Sequence, residues 1–291
     1  MSMHERKERS PMRQSDNSYF TDPESGAEMA RVMDQDHLLT KAMGGLFSER
    51  STLTGIRRIL DIGCGPGGWG LDIAFTYPEI EVVGIDISEQ AIDYARAQAR
   101  VRGLENVTFM TMDATKPLDF ANASFDLVNA RTIGFLPTGV WPNLMRECMR
   151  VLRSGGVIRL TESEWSFSNS PALEGITTIF CRALKAAGQS FSPDGRRHGI
   201  TTMLAGFLKD AGCTNVQQVP YVIDFSAGME AHASVCKNWK VVYKLSQPFF
   251  VKTGVATQAE IDPLYDQMLV EMMLDNFRGI MYLLTAWGEN P

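Results

Sequence analysis

With 291 residues, 44% of them apolar and 21% charged, the chain can build a sizeable core, and this composition excludes a disordered body. A net charge of −6 and a pI of about 5.3 exclude a nucleic-acid grip that rests on bulk positive charge. No apolar run reaches the roughly 18 residues of a membrane span. The spacing of Cys64, Cys148, Cys181, Cys213 and Cys236 suggests neither a zinc site nor a disulfide framework, which fits a reducing, cytoplasmic compartment.

Residues 1–17 are polar and charged with no apolar h-region, so a flexible tail is expected and no secretory signal. Residues 18–50 are expected to form an N-terminal helical cap. Met29, Val32, Met33, Leu38, Leu39 and Met43 recur there at near-helical spacing, and Asp22-Pro23-Glu24 supplies a helix start with Pro23 at the first helical position. Residues 51–227 read as an α/β core. Ile59-Leu60-Asp61-Ile62 is a strand running into a glycine turn, and 69–75 is a helix. Strand 82–85, helix 89–101, strands 107–110 and 125–128, helix 141–152 and strand 157–160 follow. Strands alternating with helices predict a Rossmann-like, doubly wound, mostly parallel sheet with helices on both faces. After Glu164 the rhythm breaks. Residues 172–188 and 199–211 read as helices and 216–225 as a strand; 228–247 and 258–275 are helical again, and 280–287 is a last strand. The sheet is therefore expected to have seven strands. The stretch 228–276 is long for a simple connection and is read as a helical insertion serving as a lid, while 277–291 returns to the core sheet.

The strongest chemical signal is Asp61-Ile62-Gly63-Cys64-Gly65-Pro66-Gly67-Gly68. Glycines allow backbone conformations closed to other residues and let the backbone approach a ligand. Gly63, Gly65 and Gly68 also satisfy the dinucleotide fingerprint, which alone does not discriminate. Asp86 ends the second strand, where a carboxylate can accept both ribose hydroxyls. Two features separate a nicotinamide enzyme from the alternative. Asp61, two residues before the first glycine, would repel a pyrophosphate but attract a sulfonium and an ammonium. Met112-Asp113-Ala114, after the third strand, places a carboxylate where an adenine amino group could donate to it. The carboxyl ends of the strands converge on one crevice, so Asp61, Asp86 and Asp113 can surround one ligand.

On these motifs residues 57–164 resemble the core of the class I S-adenosylmethionine-dependent methyltransferases. The matching pieces are Ile59 to Gly67, Gly84-Ile85-Asp86-Ile87-Ser88, Met112-Asp113-Ala114, Ser124 to Val128 and Arg150-Val151-Leu152-Arg153-Ser154-Gly155-Gly156. In this order and spacing they are specific to the superfamily, over a little more than a third of the chain. The first helix, Gly67-Gly68-Trp69-Gly70-Leu71-Asp72-Ile73-Ala74, is similar to that of bacterial small-molecule members. Ser154 stands where the family usually has proline, in an expected turn. The resemblance implies S-adenosylmethionine as cofactor, with S-adenosylhomocysteine as product. It implies that Asp61, Gly63 and Gly65 hold the methionine moiety, that Asp86 and Ile87 hold the ribose and pack on adenine, that Met112, Asp113 and Ala114 meet the adenine edge, and that Asn129 and Ala130 lie near the sulfonium.

Residues 165–291 carry no matching motif. Tyr19, Arg131, Trp165, Trp239 and Tyr243 are the substrate-site candidates, against plain packing or surface roles. His198 and Glu164 are the candidates for a general base, against a capping role for the histidine. No His, Cys and carboxylate cluster with ligand spacing is present, so no metal is expected. The expected reaction is methyl transfer by in-line displacement to a small, mainly apolar molecule, with neither nucleic acid nor membrane as partner. The competing readings are an RNA or protein methyltransferase, a protein that keeps the fold without the reaction, and a nicotinamide oxidoreductase. The stretch Asn129-Ala130-Arg131-Thr132 lacks the Asn/Asp-Pro-Pro-aromatic motif of base-amino methyltransferases, and no Pro-Cys nucleophile follows.

Overall fold

Short apolar runs buried on both faces make the strands, and amphipathic stretches between them make the covering helices. The computed structural model describes residues 19–21, 25–49 and 52–291. The expected tail at 1–17, Ser18, the helix start at 22–24 and the boundary at 50–51 lie outside the described residues.

In chain order the elements are α1 (Gly26–Ala42), β1 (Arg58–Ile62), α2 (Gly68–Thr76), β2 (Glu81–Asp86), α3 (Glu89–Val101), β3 (Val107–Thr111), β4 (Phe125–Arg131), α4 (Trp141–Val151) and β5 (Leu152–Ser163). They continue with β6 (Phe167–Ser168), α5 (Pro171–Ala186), α6 (Leu204–Asp210), β7 (Thr214–Asp224), α7 (His232–Lys252), α8 (Gln258–Glu271) and β8 (Gly279–Glu289). The first five strands pair in parallel in the order β3-β2-β1-β4-β5. Then β8 runs antiparallel along β5, and β7 runs antiparallel along β8. The fold is a Rossmann-like, mostly parallel α/β sheet wrapped by helices.

Four differences from the sequence reading have local causes. Among the described residues the sheet has eight strands rather than seven, because the two-residue β6 adds itself to the end of β8 and is too short to carry a period. Ser154 lies within β5, not in a turn. The helix expected from residue 199 begins at Leu204, after a short 3₁₀ turn at Thr201–Met203. α7 also runs on to Lys252 through Pro248, since Phe250 continues its buried face.

The apolar interior has separate parts. One cluster joins α4 and α6 to the sheet, and a second joins α2 and α3 to its other face. A third contains Leu39 of α1, Phe180 of α5, Trp239 and Tyr243 of α7, and Met268 of α8, together with Met281 and Leu283 of β8. This third cluster is a helical cap built beside the carboxyl ends of the parallel strands.

Candidate cofactor and substrate site

The glycine turn between β1 and α2 is fixed by space as well as by conformation. Gly63 has a φ of +67°, and a Cβ there would lie 2.6 Å from Ile133 Cγ2. An L-residue is therefore opposed twice, by its backbone and by its neighbour. At the end of β2, Asp86 Oδ2 accepts from the backbone N–H of Gly65 at 2.9 Å and Oδ1 from that of Ser88 at 2.9 Å. The carboxylate thus ties the turn to the start of α3. Burial raises its pKa above the ordinary value, against these backbone donors. Asp113, after β3, accepts from Thr115 N at 2.9 Å and Thr115 Oγ1 at 2.6 Å.

A cavity of about 250 Å³ opens above these groups. One half is lined by Gly63, Gly65, Asp86, Ile87, Met112, Asp113 and Ala114, so these expected cofactor residues come together. Asp61, Asn129 and Ala130 do not line it. Asp61 Oδ1 accepts from Asn129 Nδ2 at 2.7 Å, and Asn129 Oδ1 accepts from Arg159 Nη1 at 2.8 Å. Arg159 reaches Glu49, with Nε 2.5 Å from Oε1. Burial pushes the Asp61 carboxyl up to about 7, against the hydrogen bond from Asn129 and the charges of Arg131 and Arg159. Ala130 is buried in the apolar core. These side chains are buried within the sheet layer, and the chain turns after β4 at Thr132, whose φ is +56°. The residues that do reach the cavity are Thr132, Ile133, Gly134 and Phe135.

The other half of the cavity is a chamber of aromatic and aliphatic side chains. Tyr19, Phe20, Phe135, Trp165, Phe180 and Trp239 wall it, and α1 and α7 cross it with Met29, Val32, Val235 and Val242. Tyr19, Trp165 and Trp239 are thus placed as substrate candidates. Arg131 and Tyr243 are not. Arg131 Nη2 donates to Asp36 Oδ1 at 2.8 Å and Nη1 to Thr40 Oγ1 at 2.9 Å, which docks α1 onto the sheet. Tyr243 is wholly buried behind Trp165, its hydroxyl sharing a hydrogen bond of 2.7 Å with Thr177. No residue of α8 lines the cavity; it packs against α5 and α7.

Sequence reasoning missed a buried polar cluster on α1. Arg31 Nε and Nη2 donate to the two oxygens of Glu28 at 2.7 and 2.6 Å, and Tyr19 OH donates to Glu28 Oε1 at 2.6 Å. Arg31 Nη1 continues to Gln35 Oε1 at 2.6 Å and to Asn238 Oδ1 of α7 at 3.3 Å. Burial raises the Glu28 carboxyl, but Arg31 and Tyr19 more than offset it and hold it below its ordinary value. The only available signal was the Glu28/Arg31 spacing of three, which is also common on solvated helix faces.

The two carboxylates at the end of β5 divide their work. Glu164 does not line the cavity. Its oxygens accept from the backbone N–H groups of His198, Gly199 and Thr201 and from Thr201 Oγ1, at 3.0 to 3.3 Å. It anchors a loop, which corrects its reading as a base. Glu162 lines the cavity and accepts from Ile133 N at 2.7 Å. Burial pushes its carboxyl up to about 8, with the charge of Glu164 adding and the backbone donors of Ile133 and Gly134 opposing. His198 also lines the cavity, its Nε2 lying 3.0 Å from the Gly134 carbonyl oxygen. Burial lowers its pKa against the charge of Glu164.

Residues 59–156 match the methyltransferase domain family. The chain is 29% identical to a demethylmenaquinone methyltransferase of Geobacillus kaustophilus over 188 residues, which are 59% of this chain and 76% of that protein. It is 37% identical to an aklanonic acid methyltransferase of Streptomyces sp. strain C5, over 40% of this chain and 52% of that one. Residues 59–156 are a methyltransferase domain, and these matches support a class I S-adenosylmethionine-dependent methyltransferase. Its fold is shared with the YcgJ protein of Bacillus subtilis, at a TM-score of 0.52 and 17% identity over 86% of this chain and 99% of that one.

The donor set of this methyltransferase fits S-adenosylmethionine. The first half of the cavity offers the carboxylates of Asp86 and Asp113 and glycine backbone. Among the lining residues the basic side chain is Arg31, which is engaged by Glu28. These carboxylates beside glycine backbone suit the ribose and adenine of an adenosyl cofactor, and the family match gives that cofactor as S-adenosylmethionine. Among the described residues no group of three or more His, Cys, Asp or Glu side chains is placed to hold a metal ion, and no helix is long and apolar enough to cross a membrane.

Proposed function

We propose that this methyltransferase moves the methyl group of S-adenosylmethionine to a small, mainly apolar molecule held in the chamber under α1 and α7. One observation carries the reading. A single cavity runs from Gly63, Asp86 and Asp113 into the aromatic chamber, so donor and acceptor share one space. Asp86 takes the ribose hydroxyls, while Met112 and Asp113 meet the adenine. Gly63 and Gly65 let the methionine part approach the backbone. The sulfonium supplies a reactive methyl group. The chain then has to align the acceptor with it and keep water out, and alignment alone can account for a large part of the rate. α1 and α7 act as a lid whose hydrogen bond from Arg31 to Asn238 joins its two parts. A duplex or a folded protein has no room in such a chamber. The relatives named above act, by their names, on demethylmenaquinone and aklanonic acid, which agrees with a small-molecule acceptor. Five free, buried cysteines suit a cytoplasmic protein.

The test uses methyl-labelled S-adenosylmethionine with a cell extract divided into solvent-soluble and acid-precipitable fractions. Label is expected in the solvent-soluble fraction. Label confined to precipitated RNA or protein would overturn the reading.

A further inference from the structure

We propose that Glu162 is the proton acceptor of the reaction and that the acceptor molecule is a phenol, seated between the chamber's aromatic walls with its hydroxyl on Glu162. The inference rests on methyl transfer in this cavity.

Position comes first. Glu162 Oε1 accepts from Ile133 N at 2.7 Å, and Ile133 is the residue whose Cγ2 would lie 2.6 Å from a Cβ on Gly63. The carboxylate therefore stands one residue away from the glycine turn, on the border between the two halves of the cavity. Its Oε2 lies on the Gly134 side, 2.9 Å from where a Cβ of Gly134 would be, next to His198 Cε1 at 2.7 Å from the same point. A side chain at 134 would collide with both, so glycine is what lets Glu162 and His198 sit side by side here, and Glu162 meets the cavity as one of its lining residues. The charged and titratable groups facing Glu162 are Glu164, just past the end of β5, and His198, from the loop after α5. Glu164 is consumed by four donors, and His198 Nε2 is held by a carbonyl oxygen. Glu162 has no cationic partner among them.

The acceptor class follows from walls and acidity. Trp165 and Phe180 have ring centroids 4.2 Å apart, Trp165 and Trp239 5.5 Å, and Phe20 and Phe180 5.0 Å. These rings pack on one another into a continuous aromatic wall, and a planar ring can lie against such a surface. A carboxyl raised to about 8 lies within roughly two units of a phenol, whose ordinary pKa is about 10. A base works best when its pKa is near that of the proton it takes and near working pH. In the step, a lone pair of the phenol oxygen forms the new O–C bond. The C–S bond breaks with its electron pair staying on sulfur, and the O–H proton passes to Glu162. The products are an aryl methyl ether and S-adenosylhomocysteine.

The test compares wild type with Glu162→Gln on two probes, 1-naphthol and the far more acidic 4-nitrophenol. Affinity for S-adenosylhomocysteine is measured by calorimetry, and affinity for each phenol by quenching of tryptophan fluorescence in the presence of S-adenosylhomocysteine. Wild type is expected to bind and methylate both. Glu162→Gln should keep both affinities within about threefold and lose roughly 100-fold or more in methylation of 1-naphthol. At pH 9, where 4-nitrophenol is already ionised, the variant should match wild type on that probe. The 1-naphthol rate of wild type should rise with pH through about 8, and that of the variant should not follow this curve. Equal losses on both phenols, or an unchanged pH profile, would make Glu162 structural and overturn the proposal. Failure of wild type to bind or methylate either phenol would overturn the acceptor class. Labelled solvent-soluble product from the extract would then leave methyl transfer itself standing.

Discussion

The two halves of the cavity are held together in different ways. The cofactor half is made of backbone turns tied by single carboxylates, as when Asp86 joins Gly65 to Ser88. The capped half is made of side chains from distant elements, with a buried ion pair at Glu28 and Arg31 and rings from two helices and three loops. A turn of the first kind tolerates almost no change of side chain but asks little of the rest of the molecule. A chamber of the second kind depends on long-range docking and can be re-lined to take another guest. This contrast lets one cofactor site serve many acceptors.

The largest effect expected from breaking this contrast is at the cap. Arg31→Met would leave Glu28 buried without its cation, a loss of about 3–5 kcal/mol. Denaturant unfolding measures it, while S-adenosylhomocysteine affinity in native buffer should change little. In the cofactor half, Gly63→Ala should destabilise by roughly 2–4 kcal/mol, from the left-handed backbone and the clash with Ile133. Here S-adenosylhomocysteine binding should fail as well. Asp86→Ala should weaken that binding by about 10- to 100-fold with the fold retained. Unchanged calorimetric affinity would mean that the ribose sits elsewhere.

How far the sequence disclosed the molecule follows the same division. Asp86 and Asp113 were legible because a strand end beside a glycine turn is a local pattern. Asn129, Ala130 and Arg131 do not line the cavity, and nothing local announces the left-handed turn at Thr132 from which the chain comes to line it. Alternation put Glu162 and Glu164 on one side of β5, but only the loop at 198–201 decides which one is consumed. Glu28 and Arg31 could not be told from a solvated pair until α7 was laid over them. Tyr243 and Trp239 are four residues apart on one helix face, and the packing of Trp165 decides which of them meets the cavity.

Two smaller effects sharpen the comparison. Asp61 has its carboxyl raised to about 7 by burial. The unfolded chain ionises it in the ordinary carboxylate range, so the folded state holds the extra proton in between. The stability that this proton confers is lost as pH rises from that range through about 7. Asp61→Asn should flatten this fall in a series of unfolding curves across pH, and parallel curves for the two proteins would contradict it. Chelator should leave methyl transfer unchanged. Loss of turnover restored by magnesium or zinc would require a metal role that the ligand spacing in the sequence does not suggest.

The central claim is that cofactor and acceptor meet in one cavity, with the transferred methyl group facing the aromatic chamber. A crystal structure with S-adenosylhomocysteine tests it most directly. It should show the ribose hydroxyls on Asp86, the adenine edge at Met112 and Asp113, and the sulfur beside Ile133 and Glu162, pointing toward Trp165 and Trp239. A sulfur directed away from the chamber, or a ligand outside the glycine turn, would contradict the claim.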